Sequence, residues 1–415
     1  MISLGNGLKD LFKKIMKEKL FKIIFLPIVV IIRLISPVFY IRISPFKIAR
    51  IGHLAAESEI FLCKKRLKKK KIPITIDFFF KRKKEKPCNN FFFNLVKKKI
   101  NFIPRFIGHY VYSCNILLNN KFNSKKNYYI ILSDRYDPNY VKIDNQQLKL
   151  SKKHQLDGDN LAKKLRITRD DKYVCLVCRD ESYLKNFGNF DYHSYRNANI
   201  DTFIPTCDYL LSKGFKIIRM GNVANKKFKL DHKWVVDYPF SGHVSEILDI
   251  YYLYNCNFVL TTACGIDEIA AVSRKPFVQS SIAPVGSINY RANKNFLIFK
   301  KYFSKIKNRE LFLSEVFQNN SAFYQRSNLF EENGIELIEN NSEDIFDLTS
   351  ECLNYIENQG NLNVKTNLET QLQNKFWEIY YNGRRNASNN FFKTNYDLNC
   401  NIGSKFLSKN KHLIK

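Results

Sequence analysis

The chain has 415 residues, 45% of them hydrophobic, and carries 68 Lys and Arg against 38 Asp and Glu, a formal net charge of +30. That length allows two domains with cores of their own, at roughly 100–200 residues each. The charge narrows the partners to an anionic membrane, nucleic acid or a phosphorylated substrate, unless it is only a compositional bias toward lysine. Nucleic acid is disfavoured because no zinc-finger, RNP or helix-turn-helix pattern accompanies the charge. Ten cysteines are scattered singly, and the one close pair, Cys175 and Cys178, falls on opposite faces of a strand; they read as buried free thiols of a reducing compartment.

Residues 8–22 mix Leu, Ile and Phe with six lysines and predict a basic amphipathic helix. Residues 23–43 are strongly apolar, with Arg33 near the middle and Pro27 and Pro37 toward the ends. A central arginine costs about 2.5–3.5 kcal/mol on insertion, so a segment lying at the interface is favoured over one that spans. No small-residue cleavage site follows, which argues against a removed signal peptide. From Lys64 to Lys99 there are 15 Lys or Arg against Asp77 and Glu85, a run suited to anionic lipid or to a solvated face. Residues 1–45 are therefore expected to associate with a membrane.

The string FKIARI after Pro45 predicts a strand, ending on Gly52 and His53; this makes His53 a candidate acid/base or acceptor-positioning residue. Residues 72–80 and 128–132 predict further strands, and 94–99 and 106–118 helices, of a small first domain over 46–165. Asp157 and Asp159 have the spacing of a metal-binding pair but precede NLAKKL instead of ending an apolar strand. They are read as a loop and helix cap, and no catalytic metal is expected.

The most informative stretch runs from Lys172 to Gln279. Tyr173–Cys178 is a short apolar run ending on Arg179 and Asp180, which predicts a buried strand. Ile200, Phe203, Ile204, Cys207, Leu210 and Leu211 fall at helical spacing, with Asp201 as a cap and Pro205 in the first turn. Gly214 closes that helix, and Phe215–Met220 predicts a second strand with Arg219 and Gly221 at its end, completing a βαβ unit. The pattern repeats with a helix over 246–256, a strand at 258–260, the turn Thr261-Thr262-Ala263-Cys264-Gly265, a short helix, and a strand from Pro276. Small hydroxylated residues and glycine between a strand and a helix expose backbone N–H groups suited to a phosphate. Residues 222–233 form a basic loop, 334–338 a last strand, and 342–356 a helix capped by Ser342; the composition of 384–415 is that of a loose polar tail. This second domain is expected over 166–350, with a helix and tail over 351–415.

The strings ARIGHLAAESEIFL, CLVCRD, YRNANIDTFIPTCDYLLSKGFKIIRMG and DIYYLYNCNFVLTTACGIDEIAAVSRKPFV resemble a family of bacterial glycosyltransferases of surface-polysaccharide gene clusters, whose C-terminal half is similar to the fucosyltransferase group. The likeness spans roughly residues 46–350. It implies an α/β, GT-B-like fold of two Rossmann-like domains facing a cleft, here with the N-terminal membrane-associated helical segment. It also implies inversion at the anomeric carbon. The activity expected is a metal-independent transfer of a sugar from a nucleotide-sugar to a glycan or lipid-linked acceptor, at the inner face of the cytoplasmic membrane and with no further cofactor. Arg179 corresponds to the arginine of the HxR-type motif, where Val177 stands in place of the usual histidine.

Catalytic candidates are thus Arg179, Asp180 and His53, with Glu181 as a further choice of base. Candidates for donor binding are Arg179, Arg196, Arg219, Gly221, Thr261, Thr262, Cys264 and Gly265, since a guanidinium fork matches phosphate oxygens. Strand ends are where ligands bind in open α/β sheets. The alternative is a non-catalytic, membrane-attached protein that binds glycans or anions.

Overall fold

Helix α1 (Ile2–Leu34) opens the chain. The computed structural model describes residues 2–67, 72–122, 126–130, 145–182, 191–288, 294–361, 365–387 and 400–415. The apolar stretch 23–43 is not one element: the helix stops at Leu34 and strand β1 (Phe39–Phe46) begins. Pro37 lies between them, lacking an N–H and disfavouring helical geometry at Ser36. No helix among the described residues is long and apolar enough to cross a membrane.

The chain divides into two compact units, residues 1–133 and 134–415. In the first, β1 pairs in parallel with β2 (Ile74–Lys81), and the register sets Arg42 opposite Asp77 in a bidentate ion pair at 2.7 and 3.0 Å. Helices α2 (Ile51–Leu67), α3 (Asn90–Lys97) and α4 (Arg105–Lys121) complete the unit. Gly52 and His53 lie in the first turn of α2 and not at a strand end. Leu54, Ala55, Ser58, Phe61 and Leu62 recur at helical spacing and are buried, and that period prevails over the short apolar run before it. Ile43 donates its N–H to Tyr128 O at 3.1 Å, which brings 126–130 beside β1, but 128–130 form no strand; 131–132 of the strand expected over 128–132 lie outside the described residues.

Among the described residues the first element of the second unit is α5 (Lys152–Ala162), capped by Ser151, so Asp157 and Asp159 are mid-helix residues and not a cap. Asp159 pairs with Arg169 and accepts a hydrogen bond from the Tyr251 hydroxyl. A Cβ at Gly158 would sit 2.1 Å from the Tyr251 ring, so only glycine permits this approach. There follow β3 (Tyr173–Val177), α6 (Ile204–Ser212), β4 (Lys216–Arg219), β5 (Val235–Asp237), α7 (Glu246–Asn255), β6 (Phe258–Thr261), α8 (Glu268–Val272), β7 (Phe277–Ile282) and β8 (Asn295–Phe299). Strands β9 (Lys301–Ser304), β10 (Arg309–Glu310) and β11 (Ile335–Ile338) make a small antiparallel sheet, with α9 (Leu313–Gln318) and α10 (Ser327–Glu332) between them in the chain. Last come α11 (Ser342–Glu357), α12 (Asn367–Arg385), β12 (Cys400–Ile402) and α13 (Ser404–Lys409).

The main sheet has seven strands in the order β5-β4-β3-β6-β7-β8-β12, and every pairing is parallel. Six of them follow the Rossmann order, which runs outward from β3 in both directions. Both faces are covered, as a parallel sheet requires. Val174 and Leu176 face the core built by Phe203, Cys207, Leu210, Leu348 and Phe376, while Tyr173 on the other face hydrogen-bonds to Tyr252 O at 3.1 Å.

Within the expected tail over 384–415, residues 400–415 are not loose. Cys400–Ile402 joins the sheet edge beside β8, with the Gln373 amide bonded to the Ile402 backbone on both its donor and acceptor sides. Phe406, Leu407, Leu413 and Ile414 are buried, and these few apolar residues outweigh the polar composition around them. The helix at 342 is capped by Asn341, not Ser342: the Asn341 side chain accepts the Asp344 N–H at 2.9 Å.

Candidate functional site

In the seven-stranded sheet the chain leaves β3 toward β4 on one side and later returns to β6 on the other. A crevice opens outside the carboxyl ends of strands at such a reversal, and ligands of open α/β sheets bind there. The two segments that emerge at this point are Cys178-Arg179-Asp180 after β3 and Thr262-Ala263-Cys264 after β6.

Hydrogen bonds bind these segments into one frame. Arg179 N donates to Thr262 Oγ1 at 2.8 Å, and Thr262 N to Val177 O at 3.0 Å. Thr261 Oγ1 accepts from Ala263 N at 3.1 Å and donates to the buried Asp267 carboxylate at 3.0 Å. The Thr261 hydroxyl thus braces the turn around Ala263, which sits at a left-handed φ of 58°, while the Thr262 hydroxyl ties the turn to Arg179.

Arg196 arrives from the segment before α6. Its guanidinium donates to Ala263 O, and Ala198 N donates to Arg179 O at 3.1 Å, so 196–198 runs along the same sheet edge. The side chain of Arg179 forms no ion pair among the described residues, and its Nε–H is buried without a hydrogen-bond partner. Burial, and then the positive charge of Arg196, lower the Arg179 pKa from its usual value. Two guanidinium groups close enough to repel one another, one of them with an orphaned donor, form a site that an anion would stabilise. Burial pushes the Cys264 thiol up to about 12 although both arginines pull it the other way, so it is a neutral wall of this site at physiological pH.

Arg219 and Asp180 are positioned differently. Arg219 is 3% exposed and donates to Lys226 O at 2.6 Å and to Asp237 at 3.1 Å. Its guanidinium pins the basic loop 222–233 to β5 and stands 4.0 Å from Asp180. Asp180 in turn accepts the backbone N–H groups of Ser182 and Asn225, each at 3.0 Å, tying that loop to the end of β3. Gly221, at φ 143°, is the residue that turns the chain from β4 into the loop, a conformation other side chains rarely adopt. Arg179, Arg196 and the 261–265 turn are thus brought together, and Arg219, Asp180 and Gly221 shape the loop beside them.

His53 belongs to the first unit. Its Nδ1 lies 2.8 Å from Glu57 Oε1 one helical turn on, an arrangement that orients an imidazole with a carboxylate. Glu57 Oε2 is buried with no hydrogen-bond partner.

Lys300, immediately after β8, is absent from the sequence-derived candidates. Its Nζ is nearly buried, donating to Asn197 O at 2.6 Å and lying 3.5 Å from Glu339. Burial lowers its pKa, partly opposed by Glu339. It anchors the segment that carries Arg196, and a basic residue closing an apolar strand, the signal that selects Arg179 and Arg219, would have selected it too. No group of three or more His, Cys, Asp or Glu suited to a metal occurs among the described residues. All ten cysteines are free thiols.

No protein-family model matches the chain, and no curated protein matches it. Solved structures do. E. coli ADP-heptose LPS heptosyltransferase II is 12% identical, with a TM-score of 0.36 over 59% of this chain and 86% of that one. A family 9 glycosyl transferase from Veillonella parvula DSM 2008 is 10% identical, with a TM-score of 0.36 over 59% and 81%. The iron-containing dodecameric glycosyltransferase TibC from enterotoxigenic E. coli H10407 is 13% identical, with a TM-score of 0.26 over 60% of each chain. Glycosyltransferases stand among the distant structural neighbours of this chain.

Proposed function

We propose that the protein is a metal-independent glycosyltransferase. The second unit binds the diphosphate of a nucleotide-sugar between Arg179 and Arg196 and the backbone N–H groups of 263–265. The observation that carries this reading is the pair of arginines at the sheet's topological switch point, with one buried N–H of Arg179 left without a partner. When the glycosidic bond to the donor breaks, negative charge grows on the departing nucleoside diphosphate. Fixed guanidinium groups stabilise it there without a metal ion.

Asp180 and Arg219 act as positioning residues, holding loop 222–233 against the site. Among the candidate bases, the His53 ring is oriented by Glu57 and the Asp180 carboxylate already accepts two backbone N–H groups. The acceptor is a glycan or lipid-linked sugar, and transfer inverts the anomeric carbon, as the fucosyltransferase resemblance implies.

Substituting Arg179→Ala tests the reading. Nucleoside-diphosphate binding by calorimetry and sugar transfer from a panel of nucleotide-sugars should fall about 10²–10³-fold, the usual effect of removing one charge-stabilising donor. The circular dichroism spectrum should not change. Binding and transfer that survive the substitution would remove Arg179 from the mechanism.

A further inference from the structure

Helix α1 is apolar on every side from Leu20 to Leu34 except at Lys22 and Arg33, yet only one side is covered. Phe25, Val29 and Ile32 are buried against α4, and Arg33 faces the same way. There its guanidinium donates to Asn115 O at 3.0 Å and Asn119 Oδ1 at 2.6 Å and lies 4.7 Å from the centre of the Tyr128 ring. The opposite side displays Leu20, Ile23, Ile24, Ile31 and Leu34, each 54–72% exposed, and Phe106 of α4 adds to it where it packs edge-on against Phe21. A helix hydrophobic all round is ordinarily buried all round, so this face has a partner.

Charge identifies the partner. Residues 1–133 hold 29 of the chain's Lys and Arg but only six of its Asp and Glu, so they carry +23 of the net +30. Six of those lysines fall in residues 8–22, on the helix itself. An apolar face on a strongly cationic unit is complementary to an anionic lipid surface and opposed to a second copy of the same unit, which would repel it. The outer apolar stretch from Leu20 to Leu34 extends about 22 Å at about 1.5 Å per residue, short of the ~30 Å hydrocarbon core. Crossing the bilayer would also strip Arg33 of its amide partners.

We infer that the Leu20–Leu34 part of α1 lies in the plane of an anionic membrane, its outer face at the acyl boundary. Arg33 stays inside the protein and meets no lipid. This rests on the first unit alone and is independent of the diphosphate site.

The test is sedimentation of the full chain with vesicles of phosphatidylcholine containing 30 mol% phosphatidylglycerol, and with phosphatidylcholine alone. The wild type should bind the anionic vesicles at least tenfold more tightly, and less so as salt rises. The double substitution Ile24→Glu, Ile31→Glu should weaken binding at least tenfold while leaving the thermal midpoint unchanged, because neither side chain is in the core. Sedimentation equilibrium of both forms without lipid should show the same mass. Unweakened binding by the double variant, or indifference to lipid charge, overturns the inference. So does a wild-type oligomer that the substitutions dissociate, which would make a second copy the partner.

Discussion

The two units use the same residue types in opposite ways. The second, residues 134–415, places its aliphatic and aromatic side chains in a parallel sheet covered on both faces, and its 39 Lys and Arg nearly balance 32 Asp and Glu. The first has a fivefold excess of base over acid and leaves a row of isoleucines and leucines uncovered on its longest helix. A lysine-rich bias acting on the whole chain would have charged both alike. The charge is therefore localised, and where it concentrates the apolar surface is open.

Truncation experiments on the two surfaces break that contrast most directly. Phe376→Ala, in the closed core against Phe299 and Tyr380, should cost about 3–5 kcal/mol in urea unfolding. Leu34→Ala on the open face, where the side chain is 72% exposed, should stay within about 0.5 kcal/mol. Equal costs would mean that the helix face is covered within the protein.

A second effect belongs to the closed unit alone. Glu351 is raised to about 7, chiefly by burial, although it accepts the backbone N–H groups of Ser404 at 2.7 Å and Lys405 at 3.4 Å. An acid whose folded-state pKa is raised contributes stability that is fully present below its unfolded value and lost as pH rises through the folded one. Stability should therefore fall by on the order of 2–3 kcal/mol between about pH 4.5 and 7, and Glu351→Gln should flatten that segment of the urea-midpoint profile. An unchanged profile would assign the slope to other groups.

Smaller again is Glu57→Gln, which should slow transfer roughly tenfold with KM unmoved if the carboxylate orients His53 for proton removal. A change in KM alone would give the pair a binding role. At the bottom of the scale, EDTA and Asp157→Asn should leave transfer unchanged; loss with either would restore the paired carboxylates as a metal site.

Most of the second unit was legible in the sequence because its strands and helices alternate with clean periodicities. Arg179, Arg196 and the 261–265 turn could be nominated from strand ends and resemblance alone. Strand order could not, since it depends on pairing between segments far apart in the chain, and the switch point follows from that order. Arg219 looked equivalent to Arg179 because both close strands. What separates them is Asp237, whose place beside Arg219 is fixed only when β5 pairs with β4. His53 reads as a strand-end residue for a local reason: an apolar run of strand length precedes it, while the deciding helical period lies after it. For residues 400–415 composition misleads because it weighs every residue equally, and burial of Phe406 and Leu407 does not.

One further consequence belongs to β12. Its three residues cover an edge of β8 that is otherwise a row of unpaired backbone donors and acceptors on a fully buried, mostly apolar strand. During synthesis that edge waits, ready to recruit a neighbouring chain, until the ribosome has released more than a hundred further residues. Expression of any form cut short before Cys400 should yield inclusion bodies, and co-supplying a peptide spanning 400–415 should restore soluble protein.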